Sequence, residues 1–233
     1  MKGKFTTILF LILLFGCVNQ PAQQDFYSSV KSNYDCVYML LQESGETVVG
    51  AGTAVAYNCI VDGNEFKTSF FTCAHCVENS VFTDIKLFIC YNQKGRELAY
   101  TDNRDLYRLK AQVELVDKNL DLAIVTIRTI NRVKVVDTQD DGVSPSSFSE
   151  IYILGFPYKQ GLHFTSGVTT FTDYDKSIAS NVSACYGNSG GGVFSSKTHK
   201  LIGVIRAIYS GPAGPYWNLS YFTPLSALRG AVK

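Results

Sequence analysis

The sequence predicts an all-β protein built as two antiparallel barrels of six strands each. Three observations carry that expectation. Short runs rich in Val, Ile, Tyr, Phe and Thr recur at near-regular spacing, with turn residues between them. One polar stretch, 138–147 (TQDDGVSPSS), divides the runs into two similar sets. No fixed-period repeat, coiled coil or low-complexity tract competes with this reading.

The first set reads CVYMLLQ (36–42), TVVGAGTAVAY (47–57), FKTSFFT (66–72), DIKLFICY (84–91), LKAQVELV (109–116) and DLAIVTI (121–127). The second reads EIYILGF (150–156), HFTSGVTTF (163–171), KSIASNV (176–182), GGVFSS (191–196), HKLIGVIRAIY (199–209) and YFTPLSAL (221–228). The expected boundaries are 34–140 for the N-terminal barrel and 141–233 for the C-terminal one. With 233 residues, 46% of them hydrophobic, the chain has enough apolar material for two such cores. A net charge of +1 and the lack of a basic stripe or zinc-finger spacing argue against nucleic acid as a partner.

The N-terminus stands apart. Lys2 and Lys4 precede an apolar run from Phe5 to Phe15, too short to span a bilayer, which takes about 20 residues in a helix. A basic start and a short apolar run predict an export signal over 1–16. The ending LLFGC resembles the bacterial lipoprotein box, which implies lipidation at Cys17 and a location in the bacterial cell envelope. An ordinary signal peptide with Cys17 merely nearby is the alternative. Residues 17–33 are polar and read as a tether to the membrane, with a short helix over Gln23–Lys31.

Candidate chemistry lies in three places. His75 sits in FFTCAHCV, Asp121 in KNLDLAIVTI and Ser189 in SACYGNSGGGV. Nucleophilic acyl transfer needs a hydroxyl, an imidazole to take its proton and a carboxylate to orient the imidazole. Each motif alone has a bland structural reading; all three in one all-β chain do not. The glycines around Ser189 let the backbone bend so that N–H groups converge on one spot.

The local sequences T-x-A-H-C, D-L-A-I and G-N-S-G-G, in that order, resemble the trypsin-like serine peptidases. ILGFPYKQGLHFTSGVTT (153–170) and LIGVIRAIYSGPAGPYWNLSYFTPLSAL (201–228) resemble the protease domain of the HtrA (Deg) branch, and the glutamyl-endopeptidase branch is a near relative. The resemblance covers about 48–228 and implies a serine endopeptidase with its active site between the barrels. It implies His75, Asp121 and Ser189 as the catalytic triad and Gly187, Asn188 and Ser189 as the oxyanion hole. It places Ser183 at the base of the specificity pocket and Ile205, Arg206, Ala207 and Ile208 along its wall. Ser183 argues for a neutral or small apolar residue on the acyl side of the scissile bond. No metal or cofactor is required, and polypeptides are the implied substrates.

Departures from the family pattern matter. HtrA proteins carry a PDZ domain, which this sequence lacks through Lys233. Asn188 replaces the Asp that a zymogen's new N-terminus would pair with, so propeptide activation is not expected. A silent protease fold used for binding is the competing reading. His163 and His199 read as structural or surface residues. Apart from Cys17, six cysteines allow about 15 pairings, and sequence does not choose among them. The resemblance implies Cys59–Cys76. A zinc or redox reading of Cys73-x-x-Cys76 lacks a second ligand pair. Cys185 has no partner where the family keeps one.

Overall fold

In a computed structural model the described residues are 21–78, 81, 84–92, 106–139, 144–172, 177–212 and 214–228. The export signal and Cys17 lie outside them. The chain enters as a helix, α1 (Pro21–Tyr34). It then lays down β1 (Val37–Ser44), β2 (Thr47–Asp62), β3 (Glu65–Thr72), β4 (Lys86–Asn92), β5 (Leu106–Asp117) and β6 (Leu122–Thr129). These close into an antiparallel barrel in the order β1-β2-β3-β6-β5-β4. The second half supplies β7 (Glu150–Gly155), β8 (His163–Thr172), β9 (Ile178–Ser180), β10 (Gly192–Ser195), β11 (Leu201–Gly211) and β12 (Gly214–Pro224). They close as β10-β11-β12-β9-β8-β7, and a short α2 (Leu225–Leu228) follows. The predicted pair of six-stranded barrels is therefore what the chain forms.

Barrel closure explains the burial pattern. In β1, Met39, Leu40 and Leu41 are all fully buried, although alternation would expose one of them. One face of β1 fills its own barrel, and the strand also packs against β7. The apolar cluster of the first barrel runs on into Tyr152, Leu154, Phe156, Phe194, Leu201 and Val204 of the second. The two barrels thus share one core across the cleft, which fixes their relative position.

Three local expectations differ from the structure. The 17–33 tether is helical from Pro21, longer than the short helix expected, and it is docked. Phe26 sets its ring against Tyr152, Phe164 and His199, Val30 is buried, and Asn33 Nδ2 donates to Tyr152 Oη at 2.9 Å and to the His199 carbonyl at 2.8 Å. His199 is consequently half-buried beneath the helix rather than an exposed hairpin residue. The last predicted strand ends at Pro224, and LSAL turns helical, since proline has no N–H for a further ladder bond.

Candidate active site

His75 lies in a 3-10 turn, Ala74–Cys76, directly after β3. Buried Gln42 of β1 holds this turn by donating Nε2 to the Cys76 carbonyl at 2.7 Å. Asp121 ends the turn before β6. Asp117 Oδ1 accepts the Asn119 and Leu120 N–H groups there, and Thr223 of β12 donates to the Leu120 carbonyl at 2.8 Å. Asp121 has φ of +47°, a left-handed conformation that Asp tolerates better than most residues. That turn brings its carboxylate onto His75 twice: Oδ2 faces Nδ1 at 2.8 Å, and Oδ1 accepts the His75 backbone N–H at 3.0 Å. The side chain of Asp121 is 17% exposed and that of His75 51%. Asp121 raises the His75 pKa by hydrogen bonding, and Cys76 adds to the rise against the opposing effect of burial.

Ser189 comes from the second barrel, on the loop between β9 and β10. Thr53 of β2 fixes that loop. Its N–H donates to the Ser189 carbonyl at 2.8 Å, its hydroxyl donates to the Gly187 carbonyl at 2.7 Å, and the hydroxyl accepts the Phe156 N–H at 3.0 Å. The preceding carbonyl, of Tyr186, accepts the Tyr158 N–H at 2.7 Å. Both peptide planes flanking Gly187 are therefore held. The Gly187 and Ser189 N–H groups donate to no described residue. Gly187 has φ of +97°, and a Cβ there would meet the Phe156 carbonyl oxygen at 2.4 Å, so only glycine fits. The Ser189 hydroxyl makes no hydrogen bond to another described residue. Such bonds tighten when substrate binds.

Asn188 departs from the expected oxyanion set. Its N–H is committed to the Cys185 carbonyl at 3.0 Å, and its buried Oδ1 finds no partner among the described residues. Of the three expected residues, Gly187 and Ser189 keep N–H groups without an acceptor among the described residues. Arg206 also departs from its expected place. A β-bulge lies at this position, between Ile205 and Ala207. Its Nη1 donates to Ser177 Oγ at 2.9 Å, and its Nε lies 3.9 Å from Asp121 Oδ2. Its charge thus faces the Asp121 carboxylate. Ile205 is buried, Ile208 half-buried, and Ala207 and Ser183 exposed. The Ser183 carbonyl accepts Thr165 Oγ1 at 2.9 Å. Tyr186 stands beside them, ring edge to face with Trp217 at 5.6 Å and with Tyr158 at 6.2 Å. His163 is exposed at the start of β8.

Two barrels with His75, Asp121 and Ser189 at their junction are the arrangement against which known proteins can be compared. The family model of the trypsin-like peptidase domain matches residues 52–204. The chain belongs to the trypsin-like peptidases. A solved serine endoprotease from Yersinia pestis aligns with a TM-score of 0.65 at 19% identity, over 89% of this chain and 64% of that one. At that identity the likeness is one of fold, and this peptidase spans just under two thirds of the other chain's length. No curated protein matches by sequence.

The cysteines of this peptidase are all thiols among the described residues. Cys59 hydrogen-bonds with Thr68 Oγ1 at 3.3 Å rather than pairing with Cys76. The neighbour of Cys76 is instead Gly52, whose Cβ, if present, would lie 2.6 Å from Cys76 Sγ. Sequence reading missed Thr53, Gln42 and Ser177. A buried threonine amid the small residues GAGTAVA was the one available signal, because a polar side chain in an apolar strand must find partners.

Proposed function

We propose that this chain is a serine endopeptidase working through an acyl-enzyme. Ser189 attacks the substrate carbonyl while His75 takes its proton and later passes it to the leaving amine. Asp121 holds the ring by its Nδ1 and steadies the imidazolium. The Gly187 and Ser189 N–H groups stabilise the oxyanion, each removable donor accounting for about 10²–10³ in rate. One observation supports this above the rest: the two undonated N–H groups flank the nucleophile on the loop that Thr53 ties to the His75 barrel.

The same reading gives a neutral or small apolar preference at the acyl side of the cleaved bond, resting on Ser183 and on Arg206 being engaged elsewhere. It also makes the protein exported and lipid-anchored at Cys17 in a bacterial envelope, resting on Lys2, Lys4 and the apolar run 5–15. No described helix is long and apolar enough to cross a membrane.

Reaction with a fluorophosphonate probe tests the chemistry. Labelling of the wild type, absent in Ser189→Ala and His75→Ala, is expected. A folded wild type that takes no label would make the chain a silent or partner-activated protease fold that acts by binding. Membrane fractionation of Cys17→Ser tests the anchor: the variant should leave the membrane fraction.

A further inference from the structure

We propose that Cys73, His75 and Cys76 form a binding site for a thiophilic metal ion, Zn²⁺, and that its occupancy switches the peptidase off. One ligand atom from each of the three residues lies within 4.8 Å of the other two. Tetrahedral zinc holds sulfur at about 2.3 Å and nitrogen at about 2.0–2.1 Å, which sets its donors about 3.3–3.8 Å apart. Small side-chain rotations therefore close the shell. Spacing alone left this C-x-x-C without further ligands, and the fold brings the intervening His75 to both sulfurs, leaving the fourth position to water, while Asp121 of the β5–β6 turn lies 2.8 Å from the ring.

The chemistry of the donors is consistent. Both sulfurs are free thiols with no disulfide partner. Cys73 is fully buried and Cys76 is 6% exposed, so soft ligands are held in a dry place. His75 is 51% exposed and gives the ion its route from solvent. On binding, the two thiols release their protons to water, and the two thiolates neutralise the dication. The charge of Asp121 keeps Arg206 Nε beside it at 3.9 Å. Asp121 loses its hold on Nδ1 if that nitrogen binds the metal, or orients the ring if Nε2 does. Either way the imidazole no longer has both an Asp121 partner and a free lone pair for the Ser189 proton. The inhibition rests on the peptidase reading above; the metal binding does not.

The experiment uses the full chain, reduced and anaerobic. Co²⁺ is added to Ser189→Ala, which reads binding without activity. A thiolate-to-cobalt charge-transfer band with tetrahedral visible bands is expected, bleached by one equivalent of Zn²⁺. X-ray absorption of the zinc-loaded wild type should show two sulfurs at about 2.3 Å and needs no substitution. In the wild type, peptide hydrolysis should fall in step with zinc occupancy and return with chelator. Cys73→Ser, outside the reacting groups, should stay active and need at least about tenfold more zinc. No cobalt band in folded Ser189→Ala, or a zinc shell of nitrogen and oxygen only, overturns the site. Equal zinc inhibition of Cys73→Ser overturns the switch.

Discussion

Thr53→Val isolates what orients the proposed oxyanion hole. The swap conserves volume, so no cavity forms, but it deletes a hydroxyl with two partners. The Gly187 carbonyl loses a donor at 2.7 Å and the Phe156 N–H loses an acceptor at 3.0 Å. Thr53 is fully buried, and Phe156 is 2% exposed. Each buried group left unpaired costs about 1–3 kcal/mol, so a loop that stayed in place would lose about 2–6 kcal/mol. Turning the Gly187 peptide toward a new partner relieves part of that. The same turn changes ψ of Gly187 and φ of Asn188, which shifts the proposed oxyanion donors on either side of that peptide, at a cost of about 10²–10³ in kcat. The expected result is a kcat lower by about a hundredfold, with KM changed by less than about threefold, because the lost interaction belongs to the transition state. Urea unfolding should show a loss of about 1–3 kcal/mol. Thr53→Ser keeps the hydroxyl and should retain most of the rate. Fluorogenic peptide turnover and urea titration on the three proteins decide it. A valine variant that loses stability yet keeps wild-type kcat would refute the argument, since the loop would then be held by other contacts.

Asp121→Asn should lower kcat by about 10⁴ while leaving the fold intact, because the ring loses the partner that sets its tautomer; turnover and circular dichroism check both halves. Burial beneath α1 lowers the His199 pKa from its ordinary 6.5. The unfolded chain therefore binds that proton more readily, and stability present above about pH 6.5 declines as pH falls. Urea midpoints should drop between about pH 7.5 and 5.5, and the drop should be shallower in His199→Gln. Gly52→Cys should form a disulfide with Cys76, since its Cβ would lie 3.3 Å from the Cys76 Cβ, just short of the usual 3.5–4.5 Å. Mass spectrometry under non-reducing conditions should show loss of the two thiol hydrogens.

The barrels were legible because their strands carry local evidence: β-branched and aromatic runs bounded by turn residues. His75, Asp121 and Ser189 stand out in the sequence because acyl-transfer chemistry admits few residue types, each set in a short motif, and the structure brings the first two into contact. What escaped depends on long-range geometry. The α1 helix is mostly polar, and its few anchors find partners more than a hundred residues away, as when Asn33 meets Tyr152 and His199. Arg206 lies at a bulge, which shifts register without a sequence mark. The Cys59–Cys76 pairing failed because β2 carries Gly52, not a cysteine, at the position facing Cys76. Asn188 was placed by its neighbours in the motif, while its N–H closes the turn that exposes theirs.

Thr53 also has a bearing on how the chain matures. His75 and Asp121 belong to the first half, Ser189 to the second, and the strut that sets the Ser189 loop reaches across from the first. During synthesis from the N-terminus, His75 and Asp121 emerge well before Ser189. Neither half holds a working set alone. Under the proposed mechanism, hydrolytic competence therefore waits until the second half has docked on the first, late in synthesis.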